Sequence, residues 1–89
     1  MKNISVLVSG GGTNLQAVID NVENGFIENA KIVQVIASKE DAYALTRAKN
    51  HNIKGVYIGK KNYPVMSERT DAIIRALDEE KTDLVILAG

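Results

Sequence analysis

Three consecutive glycines, followed by a hydroxyl and an amide side chain, stand near the start of the chain as Gly10-Gly11-Gly12-Thr13-Asn14. Glycine lets the backbone adopt positive φ angles and lets a ligand approach without a Cβ in the way. A helix that begins directly after such a loop directs unpaired N–H groups and the positive end of its dipole at the loop. This segment therefore predicts an anion-binding site, most naturally for a phosphate group.

The loop differs from two well-known nucleotide-binding patterns. The Walker pattern requires Gly-Lys-Ser/Thr, whereas Gly12 is followed by Thr13-Asn14. The dinucleotide pattern G-x-G-x-x-G fits Gly10 and Gly12 but places Leu15 at its last position, where the side chain opposes close packing of helix and strand. The alternative is a plain turn capped by Thr13 or Asn14. Because three successive glycines cost backbone entropy, the sequence favours the phosphate site over the plain turn.

Apolar patterns predict the elements that position this loop. Strands are predicted over residues 4–8, 32–36, 55–58 and 83–89. The first helix is predicted over residues 14–23. The second helix is predicted to begin at 39–41 and to end at 49–52, and the third is predicted to have Pro64 in its first turn. The third helix is expected to present an apolar face formed by Met66, Thr70, Ile73 and Leu77.

The strict alternation of strands and helices predicts an α/β fold with an open, doubly wound parallel sheet. Right-handed crossovers give four strands in the order 3-2-1-4 with three helices, the first two on one face and the third on the other. The strand order reverses between strands one and four, so a crevice is expected at their carboxyl ends. The glycine loop leaves strand one at that crevice, so loop chemistry and topology predict a ligand at the same point.

Composition restricts the class of protein. The 89 residues suit one domain, 1–89, and 45% of them are hydrophobic and 25% charged. The formal net charge is zero, so the sequence predicts no nucleic-acid partner and no binding to an anionic membrane. Cysteine is absent, which excludes disulfides and thiolate sites and is compatible with the cytoplasm. No apolar run reaches transmembrane length.

The fourth predicted strand is apolar throughout, as Leu84-Val85-Ile86-Leu87-Ala88. A strand that is apolar on both sides is usually buried on both faces of its sheet. The predicted strand order places this strand at the edge of the sheet, where its outer side has no strand partner. We therefore expect residues 1–89 to be the front part of a longer protein, in which a partner chain or a second copy covers strand four.

The segment 6–16, Val-Leu-Val-Ser-Gly-Gly-Gly-Thr-Asn-Leu-Gln, resembles the opening of the phosphoribosylglycinamide formyltransferase (glycinamide ribonucleotide transformylase) family. That family reads strand, Ser-Gly-x-Gly-Ser/Thr-Asn-Leu-Gln, helix. The similarity continues through residues 36–39, 41–43, 47–48 and 83–89, and so covers the whole chain as the N-terminal part of the family. Related formyltransferases that act on methionyl-tRNA lack this glycine-threonine-asparagine loop, so the motif is specific.

The resemblance implies a cytoplasmic, Rossmann-like enzyme of de novo purine biosynthesis. Such an enzyme transfers a formyl group from 10-formyltetrahydrofolate to the amine of glycinamide ribonucleotide, without a metal ion. It implies that Gly11, Gly12, Thr13 and Asn14 bind the 5′-phosphate of that substrate. The family's Asn-x-His-Pro-Ser motif and its later Asp do not occur in these 89 residues. No catalytic residue is therefore expected among them, and the 89 residues alone are expected to be inactive.

Fewer of the family's folate-binding residues have a match in this sequence. The family often carries a basic residue at the start of helix three that touches the folate, and the ungapped match here is Met66. Arg69 follows one turn later and is a candidate folate contact, as is Gly89 at the end of strand four. Met66 itself is expected in the core.

Two other functions stay open at this point. A dinucleotide-binding half-domain of an oxidoreductase is expected to have an acidic residue after strand two for the ribose hydroxyls, where the chain has Ser38-Lys39, so an NADP-binding half-domain is the form of this alternative that stays open. This pair suits a 2′-phosphate instead, but Leu15 counts against a dinucleotide site. The other alternative is a non-catalytic phosphate-binding module, which is compatible with the formyltransferase interpretation. His51, the only histidine, is expected at a solvated helix end rather than in catalysis.

Overall fold

The computed structural model describes residues 1–9, 12–40 and 42–88. Predictions that fall on Gly10, Gly11, Asp41 and Gly89 lie outside the described residues. The elements in chain order are β1 (Lys2–Val8), α1 (Thr13–Glu23), β2 (Ala30–Ala37), α2 (Tyr43–Asn50), β3 (Lys54–Tyr57), α3 (Met66–Glu79) and β4 (Leu84–Leu87).

The four strands form one parallel sheet in the order β3-β2-β1-β4, which confirms the predicted fold class and strand order. The β-branched run of β1 is central, and Ile4 and Val6 are fully buried. Backbone hydrogen bonds continue just past the strand ends, because Ser38 N–H donates to the Val8 carbonyl (3.0 Å) and Ala88 N–H to the Leu7 carbonyl (2.9 Å). The carboxyl ends of β2, β1 and β4 therefore meet at one edge of the sheet.

The helices cover the two faces of the sheet as predicted. On one face, α1 and α2 pack on β1 and β2, and the buried residues of this core include Ile4, Val6, Val8, Leu15, Ile19, Val35, Ala44 and Ala48. On the other face, α3 packs on a smaller core that includes Ile36, Ile58, Ala72, Val56, Ala76 and Leu77. Alanine at the buried positions of α2 lets this helix lie close to the sheet, since no long side chain separates them.

A buried polar cluster lies beneath α3. Gln34 in β2 is fully buried, and its Nε2 donates to the Ala76 carbonyl (2.9 Å) and to the Ser5 Oγ (3.1 Å). The Ser5 hydroxyl in turn lies 2.7 Å from the Thr82 hydroxyl. The Gln34 Oε1 is buried without a hydrogen-bond partner in the described part of the chain. One side chain thus joins β2, β1 and α3.

Two helices begin later than the sequence predicted. Lys39 and Glu40 do not open helix two, and Asp41 lies outside the described residues. Ala42 is extended (φ −61°, ψ 125°) and its N–H donates to the Lys39 carbonyl (3.3 Å), so α2 begins at Tyr43. Pro64 does not lie in the first turn of α3. Val65 is extended (φ −86°, ψ 127°) and precedes the helix, and its carbonyl accepts the Arg69 N–H (3.0 Å).

The apolar face of α3 also differs from the prediction. Met66 is 72% exposed and Thr70 is exposed, so the expectation that Met66 belongs to the core is wrong. Met66 is the first residue of α3, and contact with the sheet core begins more than one turn later, at Ala72. Ile73 and Leu77 do pack against this core, as expected.

Strand β4 lies at the edge of the sheet, where the sequence placed it, and β1 is its one strand partner among the described residues. Leu84, Val85 and Leu87 are 46%, 40% and 78% exposed. The expectation that a partner chain or a second copy covers this strand stays a prediction. No helix in the described part of the chain is both long and apolar enough to cross a lipid bilayer.

Replacing Gln34 by alanine is expected to lower the free energy of unfolding by about 3 kcal/mol, because it removes two hydrogen bonds and leaves a cavity beneath α3. The matched control is Lys31→Ala, which truncates an exposed side chain of the same strand and is expected to change stability by less than about 0.5 kcal/mol. Urea denaturation followed by circular dichroism measures both. Equal effects of the two substitutions would contradict the structural role given to Gln34.

Candidate substrate-binding site

The first turn of α1 begins at a left-handed glycine. Gly12 is buried, precedes the helix with φ +83° and ψ 26°, and accepts the N–H of Gln16 on its carbonyl (2.8 Å). A side chain at this φ value is strained, so the conformation explains why glycine stands here.

Within the described residues, no side-chain hydrogen bond caps α1. Thr13 is already the first helical residue, and both Thr13 and Asn14 are exposed. The expectation that Thr13 or Asn14 caps the helix is therefore wrong, since a capping side chain belongs to the residue before the first helical one. That this turn binds a phosphate stays a prediction. The amides of Thr13, Asn14 and Leu15 precede the first intrahelical hydrogen bond, which the Gln16 amide makes. An uncapped helix start of this kind suits an anion.

This helix start lies at the carboxyl edge of the sheet. β1 ends at Val8 and leads into the loop, with β2 on one side and β4 on the other. The hydrogen bonds from Ser38 to Val8 and from Ala88 to Leu7 extend the neighbouring strands to the same level. The start of α1 thus lies at the carboxyl ends of β1 and β4, where the sequence predicts a crevice, and the crevice itself stays a prediction. Of the predicted phosphate ligands, residues 12–14 are described and contiguous there, and Gly11 lies outside the described residues.

Gly12 packs directly on α2. A Cβ built on Gly12 would lie 2.9 Å from both Cα and Cβ of Ala44 and 3.2 Å from Cδ of Arg47. A side chain at Gly12 would therefore be directed at α2. The sequence analysis explained the glycines by the room they leave for a ligand; at Gly12 the room that a side chain would need is taken by α2, so a bulky residue here would push α1 away from α2.

Arg47 is a functional candidate that sequence reasoning did not identify beyond its part in the resemblance. Its Nη1 donates to Gln16 Oε1 (3.1 Å), and its guanidinium carbon lies 5.0 Å from the centroid of the Tyr43 ring. It stands one helical turn after Ala44, on the face of α2 that meets Gly12. That spacing was visible in the sequence, but the contact with the loop depends on how α1 and α2 pack together.

His51 joins the far ends of α1 and α2. Its Nδ1 lies 3.0 Å from Glu23 Oε2 and its Nε2 lies 3.4 Å from Gln16 Nε2, which also donates to Asp20 Oδ1 (3.0 Å). These partners assign the proton to Nδ1, leaving Nε2 as acceptor. The expectation of a solvated helix end is corrected in part, because the side chain is 27% exposed and bonded to α1. It lies near the end of α1 that is opposite to the glycine loop.

Arg69 does not lie with residues 12–14. Its Nη1 donates to the Tyr63 carbonyl (3.0 Å), and its side chain lines a cavity of about 960 Å³ at the ends of β2 and β3. The described residues that line this cavity do not include residues 12–14. A folate contact by Arg69 stays a prediction, and Gly89 lies outside the described residues. Within the described residues, no group of three or more His, Cys, Asp or Glu side chains could hold a metal ion.

The sequence was compared with models of known protein families. A model described as formyl transferase matches residues 2–89. The chain belongs to the formyl transferase family. This assignment supports the formyltransferase interpretation of the glycine loop over the oxidoreductase alternative.

Individual relatives agree with this family. The phosphoribosylglycinamide formyltransferase of Haemophilus influenzae is 47% identical over 89 residues, which are the whole of this chain and 42% of that relative. The trifunctional purine biosynthetic protein adenosine-3 of Gallus gallus is 35% identical over 86 residues, 97% of this chain and 8% of that protein. The crystal structure of glycinamide ribonucleotide transformylase 1 from Symbiobacterium toebii superposes with a TM-score of 0.92 at 37% identity, covering 100% of this chain and 42% of that one. The chain thus spans less than half the length of these relatives.

Gly12→Ala is expected to destabilise the chain more than Gly25→Ala. Both glycines have positive φ, +83° and +87°, but a Cβ at Gly25 meets nothing within 4 Å, whereas one at Gly12 meets the backbone of α2. The strain of a left-handed alanine alone costs about 1 kcal/mol, and overlap with Ala44 adds about 2 kcal/mol at Gly12. Urea denaturation of both variants measures the difference. Equal losses of stability would show that Gly12 does not hold α1 against α2.

Proposed function

We propose that this chain provides the substrate-phosphate site of a phosphoribosylglycinamide formyltransferase, an enzyme of purine biosynthesis. The observation that carries the proposal is the uncapped start of α1 at the carboxyl edge of the sheet, in a chain that belongs to the formyl transferase family. The relatives whose names state this activity support the choice of glycinamide ribonucleotide as substrate.

The 5′-phosphate of glycinamide ribonucleotide is proposed to bind the backbone N–H groups of Gly11, Gly12, Thr13 and Asn14. The N-terminus of an eleven-residue helix contributes its dipole, and the exposed side chains of Thr13 and Asn14 add a hydroxyl and an amide. These groups act without a metal ion and without a net positive charge on the chain. Arg47, held by Gln16 within about one turn of the loop, adds a positive field at the same end of α1.

The reaction proposed for the enzyme is attack of the substrate's amine on the formyl carbon of 10-formyltetrahydrofolate. A tetrahedral oxyanion forms, the amine loses a proton, and the bond between the formyl carbon and the folate nitrogen breaks as that nitrogen takes up a proton. This chemistry requires a donor for the oxyanion and an acceptor for the proton. His51 and Glu23 bond to each other away from the loop, so they do not supply these groups to a substrate bound there. We therefore assign substrate binding, and not catalysis, to residues 1–89.

The co-substrate is proposed to approach the same edge of the sheet, with Arg69 and Gly89 as its candidate contacts.

The protein is proposed to act in the cytoplasm on small molecules, with no nucleic-acid or membrane partner, in line with its zero net charge. The isolated 89 residues would then behave as a non-catalytic phosphate-binding module, which unites that alternative with the formyltransferase interpretation.

A titration with two matched ligands tests the proposal. Glycinamide ribonucleotide is expected to shift the amide NMR signals of Thr13, Asn14 and Gln16, with a dissociation constant of about 1 mM because one end of the substrate is held. Glycinamide riboside, which lacks the phosphate, is expected to leave those signals unchanged. The chain alone is expected to show no formyl transfer from 10-formyltetrahydrofolate in a spectrophotometric assay.

Two outcomes would overturn this assignment. Equal shifts with both ligands, or shifts that cluster away from residues 12–16, would remove the phosphate from the loop. Measurable formylation by the chain alone would show that residues 1–89 carry the catalytic groups.

A further inference from the structure

A line of hydrogen bonds joins the far end of α2 to the first turns of α1. Gln16, Asp20 and Glu23 lie on one face of α1, because their spacing of four and three residues returns to the same side of a helix. His51, which follows α2, contacts this face at two points: its Nδ1 lies 3.0 Å from Glu23 Oε2, and its Nε2 lies 3.4 Å from Gln16 Nε2. The imidazole ring thus connects the two ends of this face.

The Gln16 amide bonds to three side chains at once. Its Nε2 carries two hydrogens, one of which is donated to Asp20 Oδ1 (3.0 Å) and the other directed at His51 Nε2. Its Oε1 accepts a hydrogen bond from Arg47 Nη1 (3.1 Å). The orientation of the amide is therefore fixed from both sides, with the nitrogen toward His51 and the oxygen toward Arg47.

This orientation requires a neutral His51. With its proton on Nδ1, the imidazole donates to Glu23 and presents a lone pair on Nε2 to the Gln16 amide. A protonated imidazole carries N–H groups on both nitrogens, so its Nε2–H would face the N–H of Gln16. Two donors repel each other, whereas a half-turn of the Gln16 amide places Oε1 opposite the Nε2–H and restores a hydrogen bond. The exposed carboxylate of Asp20 then turns to water.

The half-turn changes the contact that Arg47 makes. Gln16 would then direct its Nε2 at the guanidinium, and because both groups are donors, Arg47 loses this acceptor. The Arg47 side chain lies beside the phosphate loop, since its Cδ is 3.2 Å from a Cβ built on Gly12. A proton on His51 therefore acts, through one amide, on a cation at the start of α1.

Charged groups face His51 from two elements packed against it. Glu23 on α1 accepts its Nδ1 proton, and Asp20 on the same helix shares the amide described above. Lys31 on β2 lines a small cavity of about 130 Å³ together with the ring, and Lys49 on α2 is exposed. Carboxylates and ammonium groups ordinarily keep their charge between about pH 5 and about pH 8, whereas histidine ordinarily changes its charge there. The cluster thus contains one side chain of the type that switches near neutral pH.

We propose that Gln16 is a positioning residue of the phosphate site and that protonation of His51 releases Arg47 from it. This inference rests on the phosphate site proposed at α1, because the positive field of Arg47 acts on a ligand bound there. The new charge of His51 is offset by Glu23, with which it pairs, whereas a released guanidinium is beside the loop for less of the time. Anion binding at residues 12–14 is therefore expected to weaken as the pH falls.

Carbon-detected NMR of the ligand-free chain tests the switch. As the pH is lowered from about 8 to about 5, the ring nitrogens of His51 are expected to change from the Nδ1–H tautomer to the doubly protonated form. The signals of the Gln16 side-chain amide and of Arg47 Nε are expected to shift with the same midpoint. The guanidinium of Arg69, on the helix that packs on the other face of the sheet, is the internal control and is expected to stay constant.

Two variants separate this route from a general effect of charge. In Gln16→Met, which keeps the length of the side chain without its amide, His51 still gains its proton but the Arg47 signal is expected not to follow it. In Gln16→Glu, the carboxylate accepts from the imidazolium and from the guanidinium, so Arg47 is expected to stay bonded at both pH values. An Arg47 signal that follows His51 equally in the wild-type and Gln16→Met chains would overturn the proposal. So would an Arg47 signal that ignores His51 in the wild-type chain.

Inorganic sulfate measures the effect on binding, because its charge is constant in this range whereas a phosphate monoester takes up a proton near about pH 6. Its dissociation constant, read from the amides of Thr13 and Asn14, is expected to be about threefold higher at the lower pH in the wild-type chain and independent of pH in Gln16→Met. Equal wild-type affinities at the two pH values would overturn the regulation. Sulfate binding at neither pH would overturn the phosphate site itself, and the ligand-free spectra would still decide whether His51 controls Arg47.

Discussion

The close contact between Gly12 and Ala44 is the constraint on which the start of α1, and with it the proposed phosphate site, depends. Gly12 begins α1 in a left-handed conformation, and the space of its missing side chain is filled by the backbone and Cβ of α2. Both helices pack on the same face of the sheet, so the start of α1 is held between β1 and α2. A helix start held in this way presents its unpaired amides in one fixed direction, which reduces the entropy lost when an anion binds.

Polar contacts extend this arrangement along the two helices. Arg47 bonds to Gln16 near the loop, and His51 bonds to Glu23 at the other end. Because the bonds lie at both ends of α1, they oppose rotation or sliding of α1 against α2. The two ends of α1 therefore differ: the amides at the loop end precede the first intrahelical hydrogen bond, whereas the side chains at the far end bond to each other.

Much of the fold was predictable because its signals are local. Alternating strands and helices with right-handed crossovers allow few arrangements, and the order β3-β2-β1-β4 was among them. The starts of α2 and α3 were missed because Ala42 and Val65 adopt extended conformations that no sequence pattern marked. Met66 was placed in the core because its spacing fits a helical face, but contact with the sheet begins further along α3.

For the candidate functional residues, too, the local features were predictable from the sequence and the features that depend on packing were not. Glycines followed by Thr13 and Asn14 predict an anion site from the sequence alone, because that chemistry is local to one loop. The direction in which a Gly12 side chain would point, and the meeting of Arg47 and His51 at Gln16, result from packing between separate segments. Neither was available from periodicity or composition.

The central claim is that α2 shapes the phosphate site without touching the ligand, and the affinity of an Ala44→Val variant for glycinamide ribonucleotide tests it most directly. The account predicts that the dissociation constant, measured by NMR titration, rises about tenfold, because the added methyl groups push against Gly12 and displace the amides of α1. Thr46→Val, at an exposed position of α2, is predicted to leave it unchanged. An unchanged affinity in a folded Ala44→Val chain would contradict the account.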